Sequence, residues 1–174
     1  MDIHEYQAKK ILSDFGVTIP RGGIAYSPEN AENKAREIGG NKWVVKAQIH
    51  SGARGKAGGI LVCDTPLAVA QATDKLLGKK LVTNQTGPDG KIVNRIYIEE
   101  ATEIKKELYL GLVFDRSSES IMVVASTEGG MSVEEIAKQK PETIIRSKIE
   151  VAVGMQQFQA REIAFGLGIE PKLI

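Results

Sequence analysis

The sequence predicts an α+β protein of two lobes, and three observations carry that reading. Strand and helix signals alternate up to about residue 100, a β-hairpin pattern replaces the alternation beyond Ala101, and glycine or proline punctuates most junctions. At 174 residues, 42% of them hydrophobic and 26% charged, the chain has enough apolar side chains for one sizeable core or two small ones.

Taken in order, Asp2 and Glu5 stand at capping-box spacing, and Ile3, Tyr6, Ile11, Leu12 and Phe15 recur at helical intervals until Gly16. An amphipathic helix is therefore expected within residues 1–20. Arg21-Gly22-Gly23 reads as a turn before a short strand at 24–26. Ser27-Pro28 sets an N-cap before proline at the first helical position, and the helix it opens stops at Gly39-Gly40. Residues 43–48 read as a strand, 50–59 as a glycine-rich loop and 60–63 as a second strand. Thr65-Pro66 opens a third helix that closes at Gly78, and a brief strand follows at 81–83. Gly87-Pro88-Asp89-Gly90 is a strong turn, and 95–100 is the next strand.

Beyond Ala101 two longer strands are expected, 106–115 and 120–125, joined by the polar turn Arg116-Ser117-Ser118-Glu119. Ser132 and Glu135 form a second capping box before a short helix, a strand follows around 144–149, and the last helical pattern runs from near Gln156 to Gly166. The boundary between the lobes falls at 99–102 on this pattern.

Composition narrows the function classes. The 23 Lys and Arg nearly cancel the 22 Asp and Glu, so no global field draws the chain to nucleic acid or to an acidic membrane, and any anion site is local. Residues 1–10 lack the continuous apolar stretch of a signal peptide and no segment has the length of a membrane span, so the cytoplasm or an organelle matrix is the expected compartment. Cys63, inside an apolar run, reads as a small buried hydrophobe. His4 and His50 have no companions at metal-ligand spacing and no nucleophile partner, so neither a metal site nor a catalytic residue is assigned.

The most informative stretch is 44–59, a strand carrying Lys46 that runs into a loop dense in glycine and positive charge. Glycine lets backbone N–H groups approach an anion, while Lys46, Arg54 and Lys56 supply charge, Arg54 with a two-pronged grip on phosphate. The plainer alternative is a mobile surface hairpin, 60–63 pairing back on 43–48, whose cations are merely solvated. The loop has neither Walker A spacing nor the helix-opening glycines of a dinucleotide turn. Glu99 shares a strand face with Arg95 and Tyr97, opposite Ile96 and Ile98, and so can look into a cleft and meet a purine edge. On the next strand Leu108, Leu110, Leu112 and Phe114 make the apolar face, leaving Glu107, Tyr109 and Asp115 on the polar one, where Glu107 can accept hydrogen bonds from a ribose diol. Each glutamate taken alone reads more readily as solvent-facing. Ser126-Thr127-Glu128-Gly129-Gly130 reads as either an anion cradle or a tight connection, the second being the simpler.

Read together, His4-Glu5-Tyr6-Gln7-Ala8-Lys9, Trp43-Val44-Val45-Lys46, Gly55-Lys56-Ala57-Gly58-Gly59, Lys106-Glu107-Leu108-Tyr109-Leu110-Gly111 and Ala125-Ser126-Thr127-Glu128-Gly129-Gly130 resemble, in order and along the whole chain, the β subunits of succinyl-CoA synthetases (succinate–CoA ligases). The resemblance implies an ATP-grasp fold with the nucleotide between two lobes. Residues 21–98 would form the smaller lobe and 99–174 part of the larger, with the helix of 1–20 packing on the larger. It puts Lys46, Ala53, Arg54, Gly55, Glu99, Thr102 and Glu107 on nucleotide-binding positions. It implies ATP as the nucleotide, with GTP as the alternative, and Mg2+ held by ligands beyond Ile174. It also implies CoA and succinate as substrates and an α subunit that carries the phosphohistidine, so this chain alone is expected to be inactive. A malate–CoA ligase β subunit and a stand-alone nucleotide-binding module are the alternatives. Ala53 departs from the glycine of many members, and if the position needs positive φ the alanine strains the loop by about 1 kcal/mol or more.

Overall fold

The computed structural model describes residues 2–130 and 133–174, and the chain divides into two compact units, Met1–Glu103 and Ile104–Ile174. That division lies just past the 99–102 boundary read from the pattern. Ser132, the expected cap of the fourth helix, lies outside the described residues.

The first unit contains α1 (Glu5–Asp14), β1 (Gly22–Ala25), α2 (Pro28–Ile38), β2 (Trp43–Ala47), β3 (Ile60–Cys63), α3 (Pro66–Leu76), β4 (Lys80–Leu81), β5 (Lys91–Ile92) and β6 (Ile96–Glu100). Four strands make an antiparallel sheet in the order β1-β6-β2-β3, and β4 and β5 pair separately. The Ser27 hydroxyl accepts from the Asn30 amide at 3.1 Å and the Thr65 hydroxyl from the Ala68 amide at 3.0 Å, each satisfying a donor the helix leaves open, with proline next in line. Strand alternation then sorts the faces. Trp43, Val45, Ala47, Ile96 and Ile98 are buried on one side with Ala31 and Ala35 of α2 and Val69, Ala72 and Leu76 of α3, and Cys63 lies in this core as a free thiol. Ile98→Ala there would cost about 2–5 kcal/mol through lost transfer energy and a residual cavity.

The second unit contains β7 (Tyr109–Asp115), β8 (Ser120–Ser126), α4 (Val133–Gln139), β9 (Ile144–Ile149) and α5 (Gln157–Gly166), with a three-stranded antiparallel sheet in the order β7-β8-β9. Val123, Ala125, Ile149, Ile163 and Leu167 form its small core.

Four sequence expectations are corrected. The capping box of α1 is formed by His4 and Gln7, the His4 amide donating to Gln7 Oε1 at 2.8 Å, so Asp2 and Glu5 do not make it. Residues 22–23 begin β1 and do not turn; Gly22 is required because a Cβ there would collide with the Tyr97 hydroxyl and meet the Ile98 carbonyl oxygen at 2.9 Å. The strand expected at 81–83 is Lys80–Leu81, and its partner Lys91–Ile92 was not legible in so short and polar a segment. The strand expected at 106–115 starts only at Tyr109, where its pairing with Ser126 begins, and its apolar face is open, with Leu112 70% exposed. Leu110 and Leu112 instead flank an apolar groove of about 340 Å³ shared with Val123, Met155, Ile163 and Leu167.

Candidate functional site

The face of the first sheet opposite its core carries the charged residues singled out from the sequence. Antiparallel register sets Lys46 of β2 against Tyr97 of β6, and Val44 against Glu99, so Lys46 and Glu99 are diagonal neighbours on one face. The sequence expectation put the helix of 1–20 on the larger lobe; in this structure α1 belongs to the first unit and lies on this face. Charge is the reason. Glu5 Oε1 accepts from Lys46 Nζ at 3.1 Å, Glu5 Oε2 accepts from Arg54 Nη2 at 2.7 Å, and Lys9 lies 3.4 Å from Glu5. Glu99 is 4% exposed and accepts from both Lys9 and Lys46. Two carboxylates and three cations thus interlock, Lys9 also lying over the Tyr97 ring at 5.6 Å.

The electrostatics follow from that geometry. Burial alone would raise the Glu5 carboxyl, yet the Lys46 and Arg54 charges and their hydrogen bonds outweigh it and hold the group at about 2. Burial likewise pulls the Lys46 ammonium down, but its hydrogen bond to Glu99 and the charges of Glu5 and Glu99 outweigh it and leave it raised. Tyr97 is pushed up by burial and by the carboxylates of Glu99 and Glu5. Beside the cluster the His4 and His50 rings stack at 4.0 Å, and burial together with the His50, Arg95 and Arg54 charges lowers His4. Gln48, 2% exposed, ties α1 to β2: its side-chain oxygen accepts from the Tyr6 amide at 3.4 Å and its amide donates to the Lys46 carbonyl at 3.2 Å.

The glycine-rich loop joins β2 to β3, which pair antiparallel with Lys46 opposite Ile60, so the hairpin of the plainer reading is real. It is not short of anchors, however. The Ser51 and Thr83 hydroxyls meet at 2.6 Å, the Gly52 amide donates to Gln85 Oε1 at 2.7 Å, and Arg54 Nη1 donates to the Ala47 carbonyl at 2.6 Å. Within the loop the Gly59 amide closes on the Arg54 carbonyl at 2.8 Å and the Ala57 amide on that of Ala53 at 3.3 Å. Ala53 sits at φ 56°, the left-handed conformation in which its Cβ is a liability. Next to the loop a cleft of about 490 Å³ is lined by His4, Glu5, His50, Ser51, Gly52 and Arg54.

Lys46, Ala53, Arg54, Gly55 and Glu99 therefore come together in one unit, with Thr102 exposed a few residues past the end of β6. Glu107 belongs to the second unit and is exposed, its backbone packed so closely on Gly129 that no Cβ would fit there. The loop at 126–130 is a tight connection: the Ser126 hydroxyl, fully buried, bonds Thr143 at 2.9 Å and accepts from the Glu128 amide at 3.1 Å. Sequence reasoning did not find Glu5 or Lys9 as members of the cluster. Their i, i+4 spacing, which sets both on one helix face with opposite charge, was the available signal.

A family model described as ATP-grasp domain matches residues 2–174. Over 174 residues the chain is 59% identical to the "Probable malate--CoA ligase subunit beta" of Mesorhizobium japonicum, covering all of this chain and 44% of that protein. It is 54% identical over 169 residues to the succinate–CoA ligase [ADP-forming] subunit β of Nautilia profundicola, covering 97% of this chain and 43% of that one. The Bacillus subtilis subunit of the same name is 48% identical, with 100% and 45% covered. The chain thus spans less than half the length of these curated relatives. Among solved structures, a dinucleotide-forming acetyl-coenzyme A synthetase 1 from Ca. Korarchaeum cryptofilum superimposes with TM-score 0.66 at 21% identity, over 95% of this chain and 65% of that one, which bears on the fold alone. With the family model spanning nearly every residue and the α+β units just described, the chain belongs to the ATP-grasp family.

Proposed function

We propose that this chain is the amino-terminal, nucleotide-binding part of a succinate–CoA ligase β subunit. With an α subunit, the whole enzyme would interconvert succinate, CoA and ATP with succinyl-CoA, ADP and phosphate. The observation that carries the reading is the meeting of Lys46 and Arg54 at the mouth of the glycine-rich loop, in a chain of the ATP-grasp family. Several succinate–CoA ligase β subunits at 48–54% identity support the acid, whereas the malate reading rests on the 59% relative.

The roles follow from chemistry. Lys46 and Arg54 bring fixed positive charge to the triphosphate, Ala53 and Gly55 present backbone amides to it, Glu99 and Thr102 lie toward the base, and Glu107 is the proposed acceptor for the ribose diol. Magnesium, when bound, would neutralise the phosphates. Among the described residues no three His, Cys, Asp or Glu side chains stand together, and magnesium with a nucleotide is held largely by the phosphates and water. The phosphoryl acceptor is proposed to be the α subunit's histidine, and CoA and succinate to bind elsewhere in the full enzyme. No helix among the described residues is long and apolar enough to cross a membrane.

Titration of the chain with ATP and GTP, each with and without magnesium, tests the nucleotide role. Saturable binding that Arg54→Gln weakens by about 10-fold or more, the worth of one charge-assisted pair, is expected. Absence of saturable binding to a folded chain would overturn the reading. A coupled assay with ATP, magnesium, succinate and CoA is expected to give no succinyl-CoA from this chain alone.

A further inference from the structure

We propose that Glu5 is a built-in stand-in for phosphate, a latch that holds α1 over Lys46 and Arg54 until a triphosphate displaces it. The inference rests on the reading of Lys46 and Arg54 as phosphate ligands. What the structure adds is that both are already engaged, and by the two oxygens of one carboxylate: Oε1 with Lys46 at 3.1 Å and Oε2 with Arg54 at 2.7 Å. This is the two-point grip that adjacent oxygens of a phosphate would take on an ammonium and a guanidinium. The Glu5 carboxyl, held at about 2, is ionised at any working pH and competes at full charge.

A second observation concerns how α1 is held. None of its residues is buried, and its apolar stripe of Ile11, Leu12 and Phe15 faces away from the sheet, Phe15 being 84% exposed. The seat is mainly polar: Glu5 to Lys46 and Arg54, Lys9 to Glu99, the Tyr6 amide to Gln48, and Arg95 donating to the Tyr6 hydroxyl at 3.4 Å, with the His4–His50 stack and Lys9 over the Tyr97 ring beside them. A helix docked by charge, with its hydrophobic face unspent, gives up little apolar burial when it leaves. The cleft at 490 Å³ lies along its first turn, lined by His4, Glu5 and Arg54, so an anion entering there meets the latch directly. When α1 leaves it takes Glu5 and Lys9 with it, so Lys46 and Glu99 remain as a one-to-one ion pair, while Arg54 loses its carboxylate partner and keeps only the Ala47 carbonyl. A triphosphate offers more charge and more acceptor oxygens than a single carboxylate and wins the exchange.

The test uses the whole chain, calorimetric titration with ATP, and amide hydrogen exchange with and without saturating ATP. Glu5→Gln keeps the side-chain shape and removes the competing charge, and is expected to bind ATP about tenfold more tightly. In the unsubstituted chain, amides of residues 9–12 in α1 are expected to lose protection on ATP saturation. If the unsubstituted chain binds ATP and Arg54→Gln weakens it, but Glu5→Gln binds no more tightly and α1 amides keep or gain protection, the latch is overturned and the nucleotide reading stands. Should folded Glu5→Gln and unsubstituted chains both fail to bind, both are overturned. Where Glu5→Gln does not fold, the exchange result on the unsubstituted chain decides.

Discussion

Ala53→Gly should stabilise the first unit, because the loop holds an L-residue where the backbone is left-handed. Ala53 sits at φ 56°, a conformation that costs an alanine about 1–2 kcal/mol. Glycine removes that strain but adds unfolded-chain entropy worth about 0.4–1 kcal/mol. At the middle of each range, about 1.5 less about 0.7, the difference favours glycine by about 0.8 kcal/mol. For a unit of the size of Met1–Glu103, where 1 kcal/mol moves the midpoint by about 4–8 °C, the rise is roughly 3–6 °C. Trp43 is the single tryptophan and is buried in this unit's core, so its fluorescence during thermal unfolding reports the right transition. Gly55→Ala is the control: its φ is not positive, and a Cβ there would meet only Ile60 Cδ1 at 3.7 Å, so the midpoint should not fall. An unchanged or lower midpoint for Ala53→Gly would refute the strain argument.

Three further outcomes are expected from the charged cluster. Lys46→Ala leaves buried Glu99 with Lys9 alone, and should cost about 1–3 kcal/mol in urea unfolding as well as weakening ATP binding; an unaltered unfolding midpoint would deny Lys46 its counter-ion role. Glu5 is depressed from 4.5 to about 2, so its contribution is fully present above pH 4.5 and is lost as pH falls from 4.5 toward 2; acid titration of stability should show that loss, and Glu5→Gln should flatten it. His4 is lowered from 6.5 by burial and by His50, Arg95 and Arg54, so the folded state prefers it neutral and stability should decline as pH falls below 6.5; a thermal midpoint equal at pH 7.5 and 5.5, or a decline that survives His4→Gln, would contradict this.

Much of the first unit could be read directly because its signals are local. Ser27-Pro28 and Thr65-Pro66 cap their helices as written, and the β3 strand at 60–63 falls where the apolar run puts it. Strand alternation set Lys46 and Glu99 on one face, and Arg54 was singled out by the positive charge of the glycine-rich loop that follows β2. What stayed hidden depended on partners distant in sequence. Nothing near Glu5 reveals that its oxygens meet Lys46 and Arg54, 41 and 49 residues away. That Leu110, Leu112 and Phe114 stand open was hidden for the same reason, since alternation says which residues share a face and not whether anything covers it. Ala53 was flagged by its departure from glycine, but only the backbone supplied its positive φ.

Amide chemical-shift mapping of ATP added to this chain tests the central claim most directly, since it reports where the nucleotide touches as well as whether it binds. The largest changes are expected at Lys46, at Ala53, Arg54 and Gly55, and near Glu99 and Thr102, with α1 amides from Glu5 onward shifting in step. Saturable binding whose changes fall elsewhere, leaving the β2 end and the glycine-rich loop unmoved, would contradict that claim.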